Sequence, residues 1–220
     1  MPAQSAVRSK QSADFSLIET LRWEPGAGFL RLDQHLRRMK RSADALGFRQ
    51  PESPMKLLQE AVKDSAEPMR VRLTVTFRGK ADVTATTFQP IASDSIWTLR
   101  IAQQRLASDD PLFRHKTSRR DPYEAARAEF KPEEADEVLL LNERGELCEG
   151  TITNLFVEAS DGQLLTPPLS CGLLPGVLRA ELIREGRAKS EILKPEDLKD
   201  RKIFVGNALR GLIPAQLADL

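Results

Sequence analysis

The sequence predicts an α+β fold, because strand-like runs come in groups and are followed by helices instead of alternating strictly with them. The local pattern supports this class. The strand-like runs are short and are joined by turns rich in Gly, Pro and Asp, and the helical segments carry recognisable start and stop signals. The 220 residues suffice for one large domain or two small domains that share a cleft.

The elements follow from the hydrophobic pattern and the turn residues. Strands are predicted over residues 15–23, 29–32, 69–77, 81–88, 96–103, 137–141, 154–158, 164–166 and 203–205. Helices are predicted over residues 34–46, 53–63, 122–130 and 175–186. Residues 1–14 are small and polar and predict a loose arm, and residues 93–95 mark a crossing between the two halves of the chain.

Two of these helices have well-marked ends. Asp33 is predicted to cap the helix over 34–46, and Gly47 is predicted to end it. Its apolar stripe is Leu36, Met39, Ala43 and Leu46. Pro175 is predicted to lie in the first turn of the last long helix.

Composition and charge exclude several classes of protein. Lys and Arg number 33 against 32 Asp and Glu, so the net charge of +1 lacks the basic excess of a general nucleic-acid binder. Two cysteines, Cys148 and Cys171, are too few for a disulfide framework and indicate a reducing compartment. We find neither a signal-peptide core nor an apolar run of about 20 residues, and expect a soluble, cytoplasmic protein that binds no membrane.

Familiar hydrolytic and metal-binding motifs are missing: the sequence has no GxSxG, HExxH, CxxC or GxxxxGKS. Its two histidines, His35 and His115, are too few for a histidine-rich zinc site, so we expect no metal. The chemistry is therefore expected to depend on lysine, arginine and carboxylate groups.

Positive charge is concentrated in the segment RHKTSRR at residues 114–120. One interpretation is a solvated basic loop, and another is nucleic-acid binding through this run. The third is an anion site with a reactive lysine. Cationic neighbours disfavour a protonated amine, so they would lower the pKa of Lys116 and let it attack an aldehyde.

Four other residues also allow a functional interpretation. Arg38 is either a surface arginine or a guanidinium fork for a phosphate. Glu149 is either a strand-end residue or a buried carboxylate that needs a cationic or N–H partner. The amides of Gly176 and Val177, at the start of a predicted helix, suit an anion. The residues alone leave these alternatives open.

Six segments occur in an order that resembles the class IV aminotransferases, a family of pyridoxal-phosphate enzymes. They are FSLIETLRW, HLRRMKRSADALGF, HKTSRRDPYEAA, DEVLLLNERGELCEGTITNLFV, LLTPPLSCGLLPGVLRAEL and VGNALRGLIPA. Within the family, the chain is most similar to the 4-amino-4-deoxychorismate lyases, particularly the lyase module at the C-terminus of bifunctional aminobenzoate synthases. The resemblance implies a D-amino-acid-aminotransferase-like fold with domains at 1–92 and 93–220, the cofactor in the cleft between them, and a homodimer.

The resemblance also implies roles for the candidate residues. Lys116 in HKTSRR matches the family's Schiff-base lysine and lies in the second predicted domain. Arg38 in HLRRM matches the arginine that holds the cofactor phosphate, and Glu149 in GELCEG matches the glutamate that faces the pyridine nitrogen. The segments that match the phosphate cradle are Ile152-Thr153 and Gly176-Val177.

Substrate contacts are implied for three further residues. Asn207 and Arg210 lie in a family motif near the active site, where Arg210 is expected to meet a substrate carboxylate. Tyr123 is a candidate for the cofactor hydroxyl or the substrate. The family often has Thr in place of Cys148; since neighbouring side chains on a strand point to opposite faces, Cys148 is expected to point away from the Glu149 face.

The implied activity is elimination of pyruvate from 4-amino-4-deoxychorismate, giving 4-aminobenzoate for folate synthesis. Lys116 would be the base that removes the proton from the amine-bearing carbon. The alternatives are an aminotransferase for branched-chain or D-amino acids and a non-catalytic module that supports a synthase. The Asn-Gly strand that begins stand-alone members is absent, which suggests relatedness to the fused module and a synthase partner on a separate chain.

Overall fold

The computed structural model describes residues 15–218 and confirms the α+β class. The chain forms two compact units. The first contains the described residues up to Pro90 together with His115–Arg119, and the second contains Ile91–Arg114 and the described residues from Arg120 onward. The predicted loose arm at 1–14 lies outside the described residues. No helix between residues 15 and 218 is long and apolar enough to cross a bilayer.

A four-stranded antiparallel sheet with the order β2-β1-β3-β4 forms the body of the first unit. Its strands are β1 (Leu17–Glu24), β2 (Gly28–Phe29), β3 (Met69–Val75) and β4 (Ala81–Thr87), and the helices of this unit are α1 (Leu32–Leu46) and α2 (Pro54–Val62). β1 pairs with β3 along nearly its whole length, from Leu17 opposite Val75 to Trp23 opposite Met69. The backbone of β1 is therefore paired along most of its length, and α1 packs against this strand.

Helix α1 departs from its prediction at one end only. Gly47 ends it with a φ of 73°, a conformation that glycine adopts without steric cost. The prediction of Asp33 as the N-cap is wrong, because the helix begins directly after Arg31 and Asp33 lies in its first turn. There its negative charge interacts favourably with the positive end of the helix dipole. The buried residues are His35, Arg38, Met39, Ser42 and Ala43. This face is more polar than predicted, because it buries His35, Arg38 and Ser42, whereas Leu36 and Leu46 of the predicted apolar stripe are only partly buried.

The second unit contains an eight-stranded mixed sheet with the order β10-β9-β8-β11-β12-β5-β6-β7. Its strands are β5 (Trp97–Leu106), β6 (Glu137–Asn142), β7 (Leu147–Gly150), β8 (Asn154–Glu158), β9 (Leu164–Thr166), β10 (Ala188–Ser190), β11 (Ile203–Asn207) and β12 (Gly211–Leu217). The helices of this unit are α3 (Asp121–Ala128) and α4 (Val177–Arg184). The predicted start of α4 at Pro175 is two residues early, because Gly176 is its N-cap.

Strand β6 lies at the centre of the core of the second unit, and every one of its residues is buried. Leu139 and Leu141 pack into one apolar cluster, whereas Val138 and Leu140 pack into another. Alternate side chains of a strand point to opposite faces, so β6 separates two layers of core. Glu137 begins this strand as a fully buried carboxylate, and it needs hydrogen-bond donors to remain there.

Candidate functional site

Glu149 is a buried carboxylate on β7, with 4% of its surface exposed. Its Oε1 accepts hydrogen bonds from the Tyr123 hydroxyl at 2.7 Å and the Leu174 backbone N–H at 3.1 Å. Its Oε2 accepts one from Asn154 Nδ2 at 3.1 Å. The three donors come from α3, from the segment before α4 and from β8. Of the two interpretations that the sequence allowed for Glu149, the structure therefore supports the buried carboxylate with N–H and O–H partners.

Tyr123 reaches Glu149 from a ring that is packed on two sides. The Phe113 ring meets it edge-on, with centroids 6.0 Å apart, and the Arg120 guanidinium carbon lies 4.8 Å from its centroid. Burial raises the pKa of Tyr123 well above its usual value, and the charge and hydrogen bond of Glu149 raise it further. The phenol therefore keeps its proton and donates a hydrogen bond to Glu149. A contact of Tyr123 with substrate or cofactor stays a prediction.

The turn between β7 and β8 is held by a second buried carboxylate, Glu137. Its Oε1 accepts hydrogen bonds from the N–H and hydroxyl of Thr151 at 3.0 and 2.5 Å. Its Oε2 accepts from the Ile152 N–H at 3.0 Å and the Thr153 hydroxyl at 2.8 Å. A Cβ at Gly150 would lie 2.7 Å from the Glu137 carboxylate, so any other residue there would displace this carboxylate from its donors. Sequence reasoning missed Glu137; a charged residue starting an otherwise apolar strand was the available signal.

Ile152 and Thr153 were predicted to cradle an anion. In the structure, the Ile152 N–H and the Thr153 hydroxyl have Glu137 as their acceptor, and the Ile152 carbonyl accepts from Asn207 Nδ2 at 3.1 Å. The prediction that this pair binds a phosphate therefore has no support from these two donors, and it stays a prediction.

The start of α4 packs closely against the Glu149 site. A Cβ at Gly176 would overlap Asn154 Oδ1, so the absence of a side chain lets the Asn154 carboxamide lie against the backbone. The same carboxamide donates to Glu149. Val177 is the first residue of the eight-residue helix, and the amides of a helix N-terminus favour an anion.

Asn207 and Arg210 lie at the turn between β11 and β12. Asn207 Oδ1 accepts hydrogen bonds from the backbone N–H groups of Leu209 and Arg210 at 3.1 and 3.0 Å. The Arg210 guanidinium carbon lies 5.9 Å from the Trp97 ring centroid. Asn207 therefore fixes this turn to the Ile152 loop, and the substrate contacts of both residues stay predictions.

Lys116 lies in the first unit, in a segment whose backbone pairs with the start of β1. Its carbonyl accepts from the Ile18 N–H at 2.9 Å, and the Ser118 N–H donates to the Ser16 carbonyl at 2.8 Å. The side chain of Lys116 is partly exposed. The segment His115–Arg119 falls within the predicted second domain, 93–220, but it groups with the first unit because of this pairing.

Arg38 is buried beside a carboxylate that the sequence did not single out. Its Nε and Nη2 donate to Glu19 Oε1 and Oε2 at 2.8 and 2.6 Å, and His35 Nδ1 lies 2.7 Å from Oε2. Burial alone would raise the pKa of Glu19, but the charge of Arg38 and the hydrogen bonds from His35 and Arg38 lower it to about 2. Glu19 follows the apolar residues Leu17 and Ile18 at the buried start of β1, and a charged residue in that position was the signal that it needed a partner.

Comparison with known protein families shows which family the chain belongs to. The family profile described as Amino-transferase class IV matches residues 16–218, which is nearly the whole chain. The chain belongs to the class IV aminotransferase family. It is accordingly a pyridoxal-phosphate-dependent enzyme, as the resemblance of its six segments implied.

Individual members of the family give two kinds of name. A Schizosaccharomyces pombe protein, provisionally named an aminodeoxychorismate lyase, is 30% identical over 203 residues, which are 89% of this chain and 86% of that protein. A Mesorhizobium loti structure, provisionally an amino-acid aminotransferase, is 53% identical with a TM-score of 0.91, covering 93% of this chain and all of that one. A structure provisionally named a 4-amino-4-deoxychorismate lyase is 27% identical with a TM-score of 0.79, covering 93% of this chain and 85% of that one.

The residues of this class IV aminotransferase fit the chemistry of the cofactor. Pyridoxal phosphate presents a phosphate dianion, a basic ring nitrogen and an aldehyde. The chain provides an arginine fixed by Glu19, a helix start that carries Gly176 where a Cβ would clash, a buried carboxylate at Glu149 and a lysine at 116. These groups have the charge and the reactivity that the three parts of the cofactor require.

Proposed function

We propose that the protein is a pyridoxal-phosphate-dependent 4-amino-4-deoxychorismate lyase that releases pyruvate and 4-aminobenzoate. In this proposal Lys116 Nζ bonds to the cofactor aldehyde, and Glu149 faces the ring nitrogen. Arg38 and the first amides of α4, at Gly176 and Val177, hold the phosphate. The geometric support is the buried Glu149 with its three donors and the Arg38 fork held by Glu19. The position of the cofactor between the two predicted domains stays a prediction.

When bound, pyridoxal phosphate supplies a carbonyl for the substrate amine and a ring that takes up electrons from the neighbouring carbon. Glu149 keeps the proton on the ring nitrogen, because a carboxylate beside it favours the charged form. Lys116 Nζ would be freed when the substrate amine takes its place on the cofactor aldehyde, and it would then remove the proton from the substrate carbon that bears the amine. The bond to the enolpyruvyl oxygen would break, and the leaving enolpyruvate would take up a proton to become pyruvate. Arg38 would hold the phosphate of the cofactor, so that Lys116 meets the same substrate carbon in each turnover.

The observation that carries the lyase assignment is the curated relative named for that activity, which matches this chain over 89% of its length. An aminotransferase is the second candidate, favoured by the 53% identity to the Mesorhizobium loti protein and the name that protein bears. Both candidates use the same lysine, glutamate and arginine. They differ in whether the amine nitrogen stays with the product or with the cofactor.

The decisive experiment measures pyruvate and 4-aminobenzoate released from enzymatically generated 4-amino-4-deoxychorismate. We expect both products in equal amounts from the wild-type protein and none above the background of the generating synthase from Lys116→Ala, because no other group is proposed as the base. Lys131→Ala is the matched control, since Lys131 is an exposed lysine in the other unit. A near-normal rate in Lys116→Ala would remove this lysine from the mechanism.

A second measurement separates the two candidates. Branched-chain and D-amino acids are added to the protein loaded with pyridoxal phosphate, and its visible absorption is followed. Loss of the visible band on addition of these amino acids, together with no pyruvate release from 4-amino-4-deoxychorismate in the first experiment, would establish the aminotransferase and refute the lyase. The proposal also includes a cytoplasmic location, a role in folate synthesis, a homodimer and a synthase partner. Light scattering tests the homodimer, and co-purification with the synthase tests the partner.

A further inference from the structure

We propose that Tyr123 is the positioning residue of Glu149, and that its hydroxyl holds the carboxylate in the orientation that meets the cofactor's ring nitrogen. The inference rests on the proposed role of Glu149, and it assigns a part in that role to Tyr123 on α3. The family resemblance directs Tyr123 toward the substrate or the cofactor hydroxyl. The hydrogen bond to Glu149 gives it a different task.

The first argument is the direction of the hydrogen bonds on Glu149. Tyr123 and the Leu174 N–H both donate to Oε1, and Asn154 donates to Oε2. The terminal torsion of a glutamate is broad and roughly two-fold, so a carboxylate turns easily unless donors on different sides restrain it. The Tyr123 bond, at 2.7 Å, has the normal length of an O–H···O hydrogen bond, and hydrogen bonds to ionised oxygens are stronger than neutral ones.

The second argument is that the Tyr123 ring has little freedom. Phe113 packs against it edge-on, and the Arg120 guanidinium lies over its face. Arg120 Nη2 also donates to the Thr151 carbonyl, which ties the group above the ring to the turn that follows Glu149. Because the ring is fixed, the hydroxyl has a fixed direction, and a donor in a fixed direction orients its acceptor.

The third argument concerns charge. Tyr123, Asn154 and the Leu174 N–H are neutral donors, so their hydrogen bonds orient the Glu149 carboxylate and add no positive charge beside it. A charged donor in the place of Tyr123 would compete electrostatically with a protonated ring nitrogen. Burial and the neighbouring carboxylate raise the pKa of Tyr123, so it remains a neutral donor through the pH range in which enzymes of this kind work.

The first test needs no cofactor. Tyr123 is the only tyrosine in the chain, so the ultraviolet absorbance of tyrosinate reports this side chain alone. We expect the cofactor-free wild-type protein to form tyrosinate only at a pH well above that of free tyrosine, and Glu149→Gln to form it at a clearly lower pH, because the negative neighbour is gone. Identical titrations of the two proteins, each checked for folding by circular dichroism, would overturn the inference.

The second test measures cofactor binding to Tyr123→Phe, which keeps the ring and removes the hydroxyl. We expect the dissociation constant for pyridoxal phosphate to rise roughly tenfold, the size expected for a lost hydrogen bond to a charged group. The pH at which the visible band of the bound cofactor changes should also shift, because the ring nitrogen meets a less ordered carboxylate. A purely structural role would lower the melting temperature and leave this pH profile unchanged.

The control is Ser108→Ala, which removes another hydroxyl-to-glutamate hydrogen bond, from Ser108 to Glu143, in the same unit. It should leave the dissociation constant and the pH profile as in the wild type. In a Glu149→Gln background, Tyr123→Phe should change the dissociation constant by less than about twofold, because a residue that acts through Glu149 has nothing left to position. An undiminished effect in that background would overturn the inference.

The two proposals fail in different ways. If the wild-type protein does not bind pyridoxal phosphate, the proposed function fails, and the tyrosinate titration still decides whether Tyr123 and Glu149 are coupled. If the wild-type protein binds the cofactor and Tyr123→Phe binds it with the same dissociation constant and pH profile, only the positioning role is lost.

Discussion

Glu19 and Glu149 are both buried glutamates on β-strands, one in each unit, and each accepts hydrogen bonds on both carboxylate oxygens. Their donors differ in kind. Glu19 is held by the guanidinium of Arg38 and by His35, whereas Glu149 is held by a phenol, a carboxamide and a backbone amide. The first arrangement cancels the charge of the glutamate within the fold. The three donors named for Glu149 are themselves uncharged.

The difference indicates what each carboxylate is for. A guanidinium that donates through both Nε and Nη2 to one carboxylate is fixed in its plane, so Glu19 serves to aim Arg38. Glu149 is oriented by donors from other elements, and in the proposed function it faces the protonated ring nitrogen of the cofactor. Stability should therefore depend mainly on Glu19, and cofactor binding mainly on Glu149.

Replacing each glutamate by its isosteric amide gives the largest contrast. Glu19→Gln removes one partner of a buried ion pair, so we expect it to lower the free energy of unfolding by about 3–5 kcal/mol. Glu149→Gln should lower that of the cofactor-free protein by less, about 1.5–3 kcal/mol, as for weakened hydrogen bonds to a charged group. Urea denaturation of both variants without cofactor measures this. Equal losses would show that the two carboxylates do not differ in this way.

Acid pH should weaken the first unit through Glu19. The pKa of Glu19 falls from 4.5 to about 2 in the folded protein, so its contribution to stability is complete above about pH 4.5 and is lost as the pH falls toward 2. The shift corresponds to about 3 kcal/mol. In a Trp97→Phe background, Trp23 on β1 is the only tryptophan left, and its fluorescence follows the first unit. The same acid dependence in Glu19→Gln would assign the loss to other groups.

Gly176→Ala should disturb the second site by a smaller amount. Its Cβ would overlap Asn154 Oδ1, and overpacking of this kind costs about 1–3 kcal/mol. Because Asn154 also donates to Glu149, the affinity for pyridoxal phosphate should fall together with stability. Gly162→Ala is a control for the loss of a glycine, since space around Gly162 is open although its φ of 81° is strained. Unchanged affinity in Gly176→Ala would separate Asn154 from cofactor binding.

The smallest expected effect is that of Arg120→Lys. It keeps the positive charge and removes the planar group that lies over the Tyr123 ring, so we expect a loss of about 0.5–1 kcal/mol in the free energy of unfolding. Thermal denaturation with and without cofactor is the measurement. If Arg120 helps to fix Tyr123, the loss should be larger with the cofactor bound, and an equal loss in both states would restrict Arg120 to packing.

Much of the fold was predictable because its elements have local signals. The fully apolar run of β6 and the glycine that ends α1 both appear where the pattern predicts them. Strand β12 was missed because it contains Pro214, and proline is usually a sign against an interior strand. The start of α1 was misplaced because Asp33 has the chemistry of a cap, whereas Arg31 adopts the left-handed conformation before the helix.

The candidate site was predictable only where family motifs mark it. Lys116, Arg38 and Glu149 were singled out from the sequence, and Arg38 and Glu149 prove to be buried beside hydrogen-bonding partners. Glu19 and Glu137 were not singled out, although both are buried carboxylates that fix neighbouring groups. Apart from the Val138 N–H, which is adjacent to Glu137, their partners lie 14 to 19 positions away in the chain, so no short motif connects them.

The sequence by itself determined the α+β class, the order of most strands and helices, and the identity of the lysine, arginine and glutamate that bear the proposed chemistry. The class and the elements depend on local hydrophobic periodicity and turn residues, and the three residues were identified by the resemblance of their motifs to those of a known family. Only the tertiary structure decided which donors hold each carboxylate. Hydrogen bonds such as that from Tyr123 to Glu149 join residues 26 positions apart, and their existence depends on how strands and helices pack, not on the neighbours of either residue in sequence.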